Sequence, residues 1–177
     1  MADKPRKADL ARAPEPPPEP KPVVEAPPEE YLAFRLGAET YAVPLGDVLE
    51  ILRVPSVTEV PRAARHVRGV VSVRGSITTV IDLRRRLRLA DPVPDRQARV
   101  LLVRREDETV GLLVDAVEQV YRLGPGQIEL RSSMSGDTAD YIRGIGRPHA
   151  TDMAVATKSN PSNDMLVLLS PRELLRD

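Results

Sequence analysis

The sequence predicts a mainly β protein with short helices, in which one β-rich unit occurs twice behind a proline-rich tail. Short runs of β-branched and aromatic residues, bounded by glycine and polar turn residues, are typical of strands. An ungapped internal repeat gives the two halves of the chain the same apolar pattern. The 177 residues are enough to bury a sizeable core.

Composition excludes several classes of function. The chain has no cysteine, which rules out disulfides and thiolate metal sites. Its 26 basic and 26 acidic residues cancel, so it lacks the excess positive charge that drives nucleic-acid binding. No apolar run approaches the roughly 18 residues of a membrane span, and no signal-peptide core follows the N-terminus. We therefore expect a cytoplasmic protein that binds no nucleic acid and does not insert into a membrane.

Residues 1–29 form the predicted tail. Nine of the chain's 18 prolines precede Tyr31, alternating with charged residues and alanine. Such a segment buries too little apolar surface to offset its ordering entropy, and its prolines favour extended conformations. We expect a disordered spacer whose removal leaves thermal stability nearly unchanged; a PxxP ligand for a partner is the alternative. The ordered domain then covers residues 30–177.

The ordered part opens with a predicted hairpin and a predicted helix. Apolar residues alternate along residues 31–36, and a turn at 37–39 leads to a second strand at 40–43. Pro44 suits the first turn of a helix. The residues that follow have the i, i+3, i+4, i+7 spacing of a buried helical face: Leu45, Val48, Leu49 and Leu52. Glu50 would then face outward.

A second hairpin over Val67–Leu83 carries the strongest signal. Two β-branched runs flank Gly75-Ser76, and glycine at the first central position suits a type II′ turn. This turn would pair Arg74 with Ile77, Ser72 with Thr79 and Val70 with Ile81. Both faces are mostly apolar, which predicts burial on both sides. Arg74 must then emerge at the tip or pair with a carboxylate, and Glu50 is the expected partner.

Two short helices are signalled by their first residues. Asp82 precedes residues 83–87, where its carboxylate can accept hydrogen bonds from free helix-start amides. We interpret it as an N-cap; a catalytic acid is the alternative. Near the C-terminus, Ser170, Pro171 and Glu173 form the pattern of a capping box.

An internal repeat links the two halves of the ordered part. After a linker at 90–96, strands are predicted at 100–105 and 109–114. Three alignments define the repeat: residues 31–54 on 100–123, 67–70 on 142–145, and 82–87 on 170–175. The chain therefore contains one β-rich unit at about 31–97 and again at 100–177. The second copy has extra residues in predicted loops around 132–138 and 147–164.

The sequence offers little for catalysis. His66 and His149 are the only histidines, and without cysteine a metal site would depend on carboxylates. No glycine-rich phosphate loop leads into a helix, which argues against nucleotide binding. An enzyme would need a triad assembled by the fold around Ser132, Ser133 or Ser135. We expect no catalytic group, no metal and no cofactor.

The ordered part carries four further motifs: VPLGDVLEI at 43–51, VRGVVSVRGS at 67–76, VIDLR at 80–84 and VGLLVDAV at 110–117. Together they resemble the CheW family of bacterial chemotaxis coupling proteins, from residue 30 to the C-terminus. The resemblance implies a fold of two intertwined five-stranded SH3-like barrels. This agrees with the internal repeat.

The resemblance also implies a protein-binding surface. Arg74 matches the arginine of the family's receptor-facing groove, and Glu50 matches its acidic companion. Further positions match residues associated with receptor binding or coupling: Leu45, Val48, Arg68, Gly69, Val117 and Val120. The implied kinase-binding positions are Leu52, Val54 and Val57. An apolar groove with a charged rim suits the recognition of a helix.

The implied function is that of a non-enzymatic adaptor recruited to receptor arrays. It would join the cytoplasmic tip of methyl-accepting chemoreceptors to the regulatory domain of the histidine kinase CheA. The alternative is a CheW-like module that binds receptors without recruiting the kinase. Two features depart from the family pattern: Ser72-Val-Arg-Gly75 replaces Asn-Leu-Arg-Gly, and the loop at 147–164 is longer than usual. The first change is mild because it keeps the arginine. The long loop, together with the tail, indicates a specialised system with its own choice of partners.

Overall fold

The structure is a computed structural model that describes residues 27–90, 96–130, 139–149 and 165–176. The tail up to residue 26 lies outside the described residues. So do most of the linker at 90–96 and most of the loop at 147–164. The candidate serines Ser132, Ser133 and Ser135 also lie outside them.

The described residues form a mainly β protein, as predicted. Their strands are β1 (Glu29–Leu36), β2 (Glu39–Pro44), β3 (Val48–Arg53), β4 (Val67–Val73), β5 (Ser76–Asp82), β6 (Arg99–Arg105), β7 (Glu108–Val114), β8 (Ala116–Leu123), β9 (Ile128–Leu130), β10 (Ile142–Gly146) and β11 (Leu166–Leu169). The α-helices are α1 (Leu83–Arg86) and α2 (Pro171–Leu174), and single 3-10 turns occur at Leu45–Asp47, Pro125–Gln127 and Ala139–Tyr141. Within the described ranges, no helix is long and apolar enough to cross a bilayer.

The strands form two sheets that exchange hairpins between the repeat units. One sheet has the order β8-β1-β2-β11-β10-β9, and the other has the order β3-β6-β7-β5-β4. The first unit supplies β1 to β5 and the second supplies β6 to β11. The β1–β2 hairpin joins the second unit through the parallel pair β2–β11, and β6–β7 joins the first through the parallel pair β5–β7. The two units are therefore intertwined, as predicted, and both predicted hairpins are confirmed.

The two units repeat their irregularities as well as their strands. A register shift at Arg68 in β4 matches a shift at Arg143 in β10. The glycine after each arginine lies against a backbone carbonyl oxygen. A Cβ atom would lie 2.2 Å from that oxygen at Gly69 and 2.4 Å from it at Gly144. In the second unit the contacting segment is the strand β9, whereas in the first it is an isolated bridge at Thr58. These two irregularities therefore occur at equivalent positions of the two predicted repeat units.

Three apolar clusters hold the sheets together. The largest lies between the two sheets and joins residues of both units and both helices, among them Leu32, Phe34, Leu83, Leu101, Leu112 and Leu174. The other two clusters each belong to one sheet. Tyr31, Tyr121 and Leu166 lie in the six-stranded sheet's cluster. Val71, Val80 and Val100 lie in that of the five-stranded sheet. Each sheet thus has its own small core beside the shared one.

The helix predicted from the spacing at 45–52 is wrong. Leu45–Asp47 makes a single 3-10 turn, and Val48–Arg53 is the strand β3. The same residues also fit a period of two, with alternate side chains partly buried. As a strand, this segment makes backbone hydrogen bonds with β6. Among the described residues, β6 pairs with β7 on one side and with β3 on the other. Leu49, expected on the buried helical face, is 45% exposed, and Ile51 is 44% exposed.

The second hairpin forms, but its turn lies one residue earlier than predicted. The central residues are Arg74 and Gly75, with φ of 51° and 84°, and Val73 pairs with Ser76. Two positive φ values make a type I′ turn, whose twist matches that of the strands. The pairing moves by two residues, so each side chain keeps its face. The hairpin is not buried on both sides, because Ile77 on the outer face is 80% exposed.

The two predicted helix starts have different outcomes. Asp82 is the N-cap of α1, where its carboxylate accepts a hydrogen bond of 3.2 Å from the Arg85 amide. The capping box at Ser170 does not form, since the Ser170 side chain makes no capping hydrogen bond. Glu173 instead accepts a hydrogen bond of 3.1 Å from Arg176. The helix still begins at the predicted proline.

Candidate protein-binding site

Arg74 and Glu50 form an ion pair that connects the two edges of the five-stranded sheet. Nη2 of Arg74 lies 3.0 Å from both carboxylate oxygens of Glu50. Glu50 lies on β3 and Arg74 lies in the β4–β5 turn, and β3 and β4 are the outermost strands of this sheet. The sheet must therefore curve until its edges approach each other. The predicted pair is confirmed, although Glu50 lies on a strand and not on a helix.

This ion pair lies at the protein surface. The Arg74 side chain is 80% exposed and that of Glu50 is 34% exposed. Exposed pairs contribute about 0–1 kcal/mol to stability, so little is lost when such an arginine turns to another acceptor. A guanidinium carries five donors, and Glu50 is its only polar partner among the described residues. Arg74 can therefore bind an incoming carboxylate or carbonyl group.

Four of the predicted receptor-binding residues lie around the shared core. Leu45, Val48, Val117 and Val120 are partly buried and pack against the cluster between the sheets. An extra residue in β8 opposite β1 lets Val117 and Val120 share one face although they are three apart. Val48 and Val117 are equivalent positions of the repeat. The two units thus contribute matching apolar side chains to the rim of one core.

Arg68 and Gly69 do not lie with Arg74. They stand near the other end of β4, five or six residues away, or roughly 16–20 Å along a strand. Gly69 is buried against the backbone of Thr58. Arg68 is exposed and has no partner among the described residues, whereas its repeat counterpart Arg143 is bound. The structure therefore separates the predicted site into two regions.

The three predicted kinase-binding positions differ in accessibility. Leu52 and Val57 are partly buried against the core of the five-stranded sheet. Val54, just beyond β3, is 43% exposed. Leu49 and Ile51 extend this exposed apolar stretch along β3, an edge strand. The helical interpretation missed these two side chains, and a period of two in the same sequence would have found them.

Sequence analysis also missed a charged contact that joins both sheets. Arg84 in α1 donates from Nε to Asp115 at 2.8 Å, and its Nη2 also contacts that carboxylate. The Gly37 amide, in the β1–β2 turn, donates to Asp115 at 2.7 Å. Burial by itself raises the pKa of Asp115, but the hydrogen bonds from Arg84 and Gly37 outweigh it and hold this pKa below its ordinary value. The contact therefore links α1, which follows β5 of the five-stranded sheet, to the β1–β2 turn of the six-stranded sheet.

A second missed contact surrounds Arg143. Its Nη1 donates to Glu29 at 3.0 Å and to the Tyr31 hydroxyl at 2.9 Å. Burial by itself raises the pKa of Glu29, but the hydrogen bonds from Arg143 and Tyr31 outweigh this effect and hold the pKa below its ordinary value. Burial and the bond to Glu29 raise the pKa of Tyr31. The repeat motif IRGI contained this arginine, but nothing local identified its acidic partner.

The described residues hold no group of three or more His, Asp or Glu side chains placed to bind a metal ion. His66 contacts Nη1 of Arg86 at 3.3 Å. Asp82, the alternative catalytic acid, is 3% exposed and caps α1. What the geometry does offer is apolar surface and exposed arginine, which suit protein binding.

Comparison with known proteins identifies relatives of one kind. A family model described as a CheW-like domain matches residues 30–177. The chain is 29% identical to chemotaxis protein CheW of Helicobacter pylori over 118 residues, 67% of this chain and 72% of that protein. It is 34% identical to a probable chemotaxis protein CheW of Rhizobium etli over 119 residues, 66% of this chain and 76% of that one.

A solved structure has the same fold. The crystal structure of the scaffolding protein TtCheW from Thermoanaerobacter tengcongensis superimposes with a TM-score of 0.71 and 24% identity, covering 85% of this chain and 94% of that one. Protein PilI of Pseudomonas aeruginosa is 36% identical over 86 residues, which are 49% of this chain and 48% of PilI.

Proposed function

This chain belongs to the CheW-like family, and we propose that it is a non-enzymatic adaptor that couples chemoreceptors to a CheA-type histidine kinase. The observation that carries the proposal is the exposed Arg74–Glu50 ion pair. Its glutamate lies on β3, the strand that also contributes Val48 to the apolar rim. Such a surface binds protein and needs no catalytic group. The protein would act in chemotaxis or motility signalling, at cytoplasmic receptor arrays.

The receptor contact follows from the chemistry of the rim. The tip of a chemoreceptor is a helical hairpin, and a helix can lay its apolar stripe against partly buried aliphatic side chains. Leu45, Val48, Val117 and Val120 supply those side chains. Arg74 would donate to a polar group beside the stripe, because its guanidinium is mostly exposed. Glu50 would hold the guanidinium in position until the receptor arrives.

The kinase contact belongs, in this proposal, to the exposed edge of β3. Val54 is accessible there and Leu49 and Ile51 enlarge its apolar surface. Leu52 and Val57 pack against the core, so they would support this surface from beneath. Receptor and kinase would then occupy adjoining surfaces on either side of Glu50.

A binding experiment with purified components tests the receptor contact. Receptor cytoplasmic fragment and kinase regulatory domain are mixed with wild-type protein, Arg74→Ala, or the control Arg147→Ala. The control also removes an exposed ion pair, since Arg147 lies 3.4 Å from Glu129 with side chains 67% and 69% exposed. We expect Arg74→Ala to raise the receptor Kd at least about tenfold, or ~1.4 kcal/mol. The control should stay within about twofold.

The same mixture distinguishes the proposed adaptor from its alternative. A single complex that contains receptor, this protein and kinase supports coupling. Receptor binding without kinase recruitment would replace the adaptor with a receptor-binding module. Equal receptor affinity for Arg74→Ala and wild type would remove Arg74 from the site.

A further inference from the structure

An apolar groove lies at the edge of the six-stranded sheet, beside β9. It is a cavity of about 230 Å³ whose apolar walls are Pro27, Leu123, Pro125, Ile128 and Leu130. Glu29 and Arg143, which are bonded to each other, form its polar side. Leu130 is 63% exposed, which is unusual for a leucine on a strand. The groove therefore presents apolar surface that nothing in the described chain covers.

The strand beside this groove has one unpaired edge among the described residues. β9 is the last strand of the sheet and pairs only with β10 among the described residues. Of its three residues, Ile128–Leu130, one is charged, Glu129, which is paired with Arg147; the strand contains no lysine and no proline. A short extended segment could add its backbone to this edge and place a side chain in the groove.

We propose that the occupant is the chain's own segment around Val23-Val24, which folds back onto the groove and covers Leu130. The sequence between this pair and the fold is short. Pro27 already lines the groove, and Val24 precedes it by three residues, which span at most about 11 Å when extended. The segment thus starts beside the surface that it would cover.

The composition of the tail selects the same segment. Among residues 1–28 the branched aliphatic side chains are Leu10, Val23 and Val24, so the valine pair is the apolar feature nearest the fold. Valine also has a high preference for extended structure. Pro27 and Pro28 stiffen the connection, which lowers the entropy lost on docking. A tether this short gives an effective concentration in the millimolar range or above, so even a weak contact would be occupied.

The inference divides the predicted tail into two parts. Residues 1–22 would keep the predicted role of a spacer, whereas residues 23–26 would become an additional edge segment of the sheet. This is independent of the proposed function, because it concerns the isolated chain and its test uses neither receptor nor kinase.

Disulfide trapping in the full-length chain tests the contact. The chain has no cysteine, so each engineered pair is unambiguous. Val24→Cys is combined with Leu130→Cys, and mild oxidation is followed on non-reducing gels at low protein concentration. A disulfide needs Cα atoms within about 7 Å. We expect the intramolecular bond to form at least about tenfold faster than in two controls, Leu10→Cys with Leu130→Cys and Val24→Cys with Ile77→Cys.

A second measurement avoids the need to trap a bond. Leu130→Cys alone reports the accessibility of the groove through its rate of alkylation by a maleimide. We expect the rate to rise at least about threefold when Val23→Ser and Val24→Ser are added to the same chain. Equal trapping rates for the pair and its controls, with an unchanged alkylation rate, would overturn the proposal. A disulfide that forms only between two molecules would overturn it in favour of a second copy.

Discussion

Gly69→Ala offers the sharpest test of the fold, because the added methyl has no room. Its Cβ would lie 2.2 Å from the carbonyl oxygen of Thr58 and 2.7 Å from a methyl of Val57. Thr58 cannot retreat freely, since two backbone hydrogen bonds of 2.9 and 2.8 Å hold it to Val70. Gly69 also has a φ of 149°, which residues with a side chain rarely adopt.

The size of the effect can be worked out from these contacts. Overpacking costs about 1–3 kcal/mol. The strained backbone adds about 1–2 kcal/mol. We therefore expect Gly69→Ala to lower the free energy of unfolding by about 2–5 kcal/mol, a large part of the 5–15 kcal/mol typical of a domain.

Two other glycines separate the two causes. Gly75 has a φ of 84° but nothing within 4 Å of its Cβ position, so Gly75→Ala should cost only about 1–2 kcal/mol. At Gly144 the Cβ would lie 2.4 Å from the Glu129 carbonyl oxygen without a positive φ, so Gly144→Ala should cost about 2–3 kcal/mol. Urea denaturation followed by circular dichroism measures all three variants.

The same series decides what Gly69 does. The family resemblance places Gly69 among the coupling positions, whereas the structure explains it as a close contact within the fold. If Gly69→Ala keeps wild-type stability within about 1 kcal/mol, the packing argument is wrong. Lost receptor binding at unchanged stability would make Gly69 a contact residue.

Three further outcomes follow from the charged groups and the tail. A double-mutant cycle of Glu50→Ala and Arg74→Ala tests the ion pair. The coupling in unfolding free energy should be below about 1 kcal/mol because the Arg74 side chain is 80% exposed. The effects of the two substitutions on receptor binding should be clearly non-additive, and additive effects would contradict the pair's role in binding. Asp115→Asn should cost about 1–3 kcal/mol at pH 7 by urea denaturation. In the folded protein the pKa of Asp115 lies below its ordinary 3.8, so the charged carboxylate contributes stability above that value, and this stability is lost as pH falls through the folded pKa. The difference in unfolding free energy between wild type and Asp115→Asn should therefore shrink in acid. A difference independent of pH would refute this. Deletion of residues 1–22 should leave the melting temperature within about 1 °C. Deletion of 1–29, which the sequence predicts to be nearly neutral, also removes Glu29 from β1 together with its bond to Arg143, so it should lower the melting temperature.

Local sequence signals were sufficient to predict those elements whose structure does not depend on the segments packed against them. Alternation and turn residues identified the hairpins at 31–43 and 100–114. A carboxylate before a helix start identified the cap at Asp82. The repeat and the family motifs led to intertwined units, and the ion pair of Arg74 with Glu50 followed from the need to neutralise a charge near a core.

Signals that fit two structures were settled only by distant partners. The apolar spacing of residues 45–52 fits both a helix and a strand. Residues 48–53 form a strand because they pair with β6, which is distant in sequence. The turn at Arg74-Gly75 was placed one residue late, because sequence alone did not indicate that Arg74 would accept a positive φ. The link between Asp115, Arg84 and Gly37 joins residues far apart in the chain, so no local pattern could reveal it.

The sequence by itself thus determined the mainly β class, the hairpins at 31–43 and 100–114, and the family to which the chain belongs. The tertiary structure decided how the units exchange hairpins, where the sheet edges meet, and which apolar side chains stay exposed. The physical reason is that periodicity and turn chemistry act between neighbours in sequence. Strand pairing and burial depend on contacts such as that of Tyr41 with Val167, which exist only once the whole chain has folded.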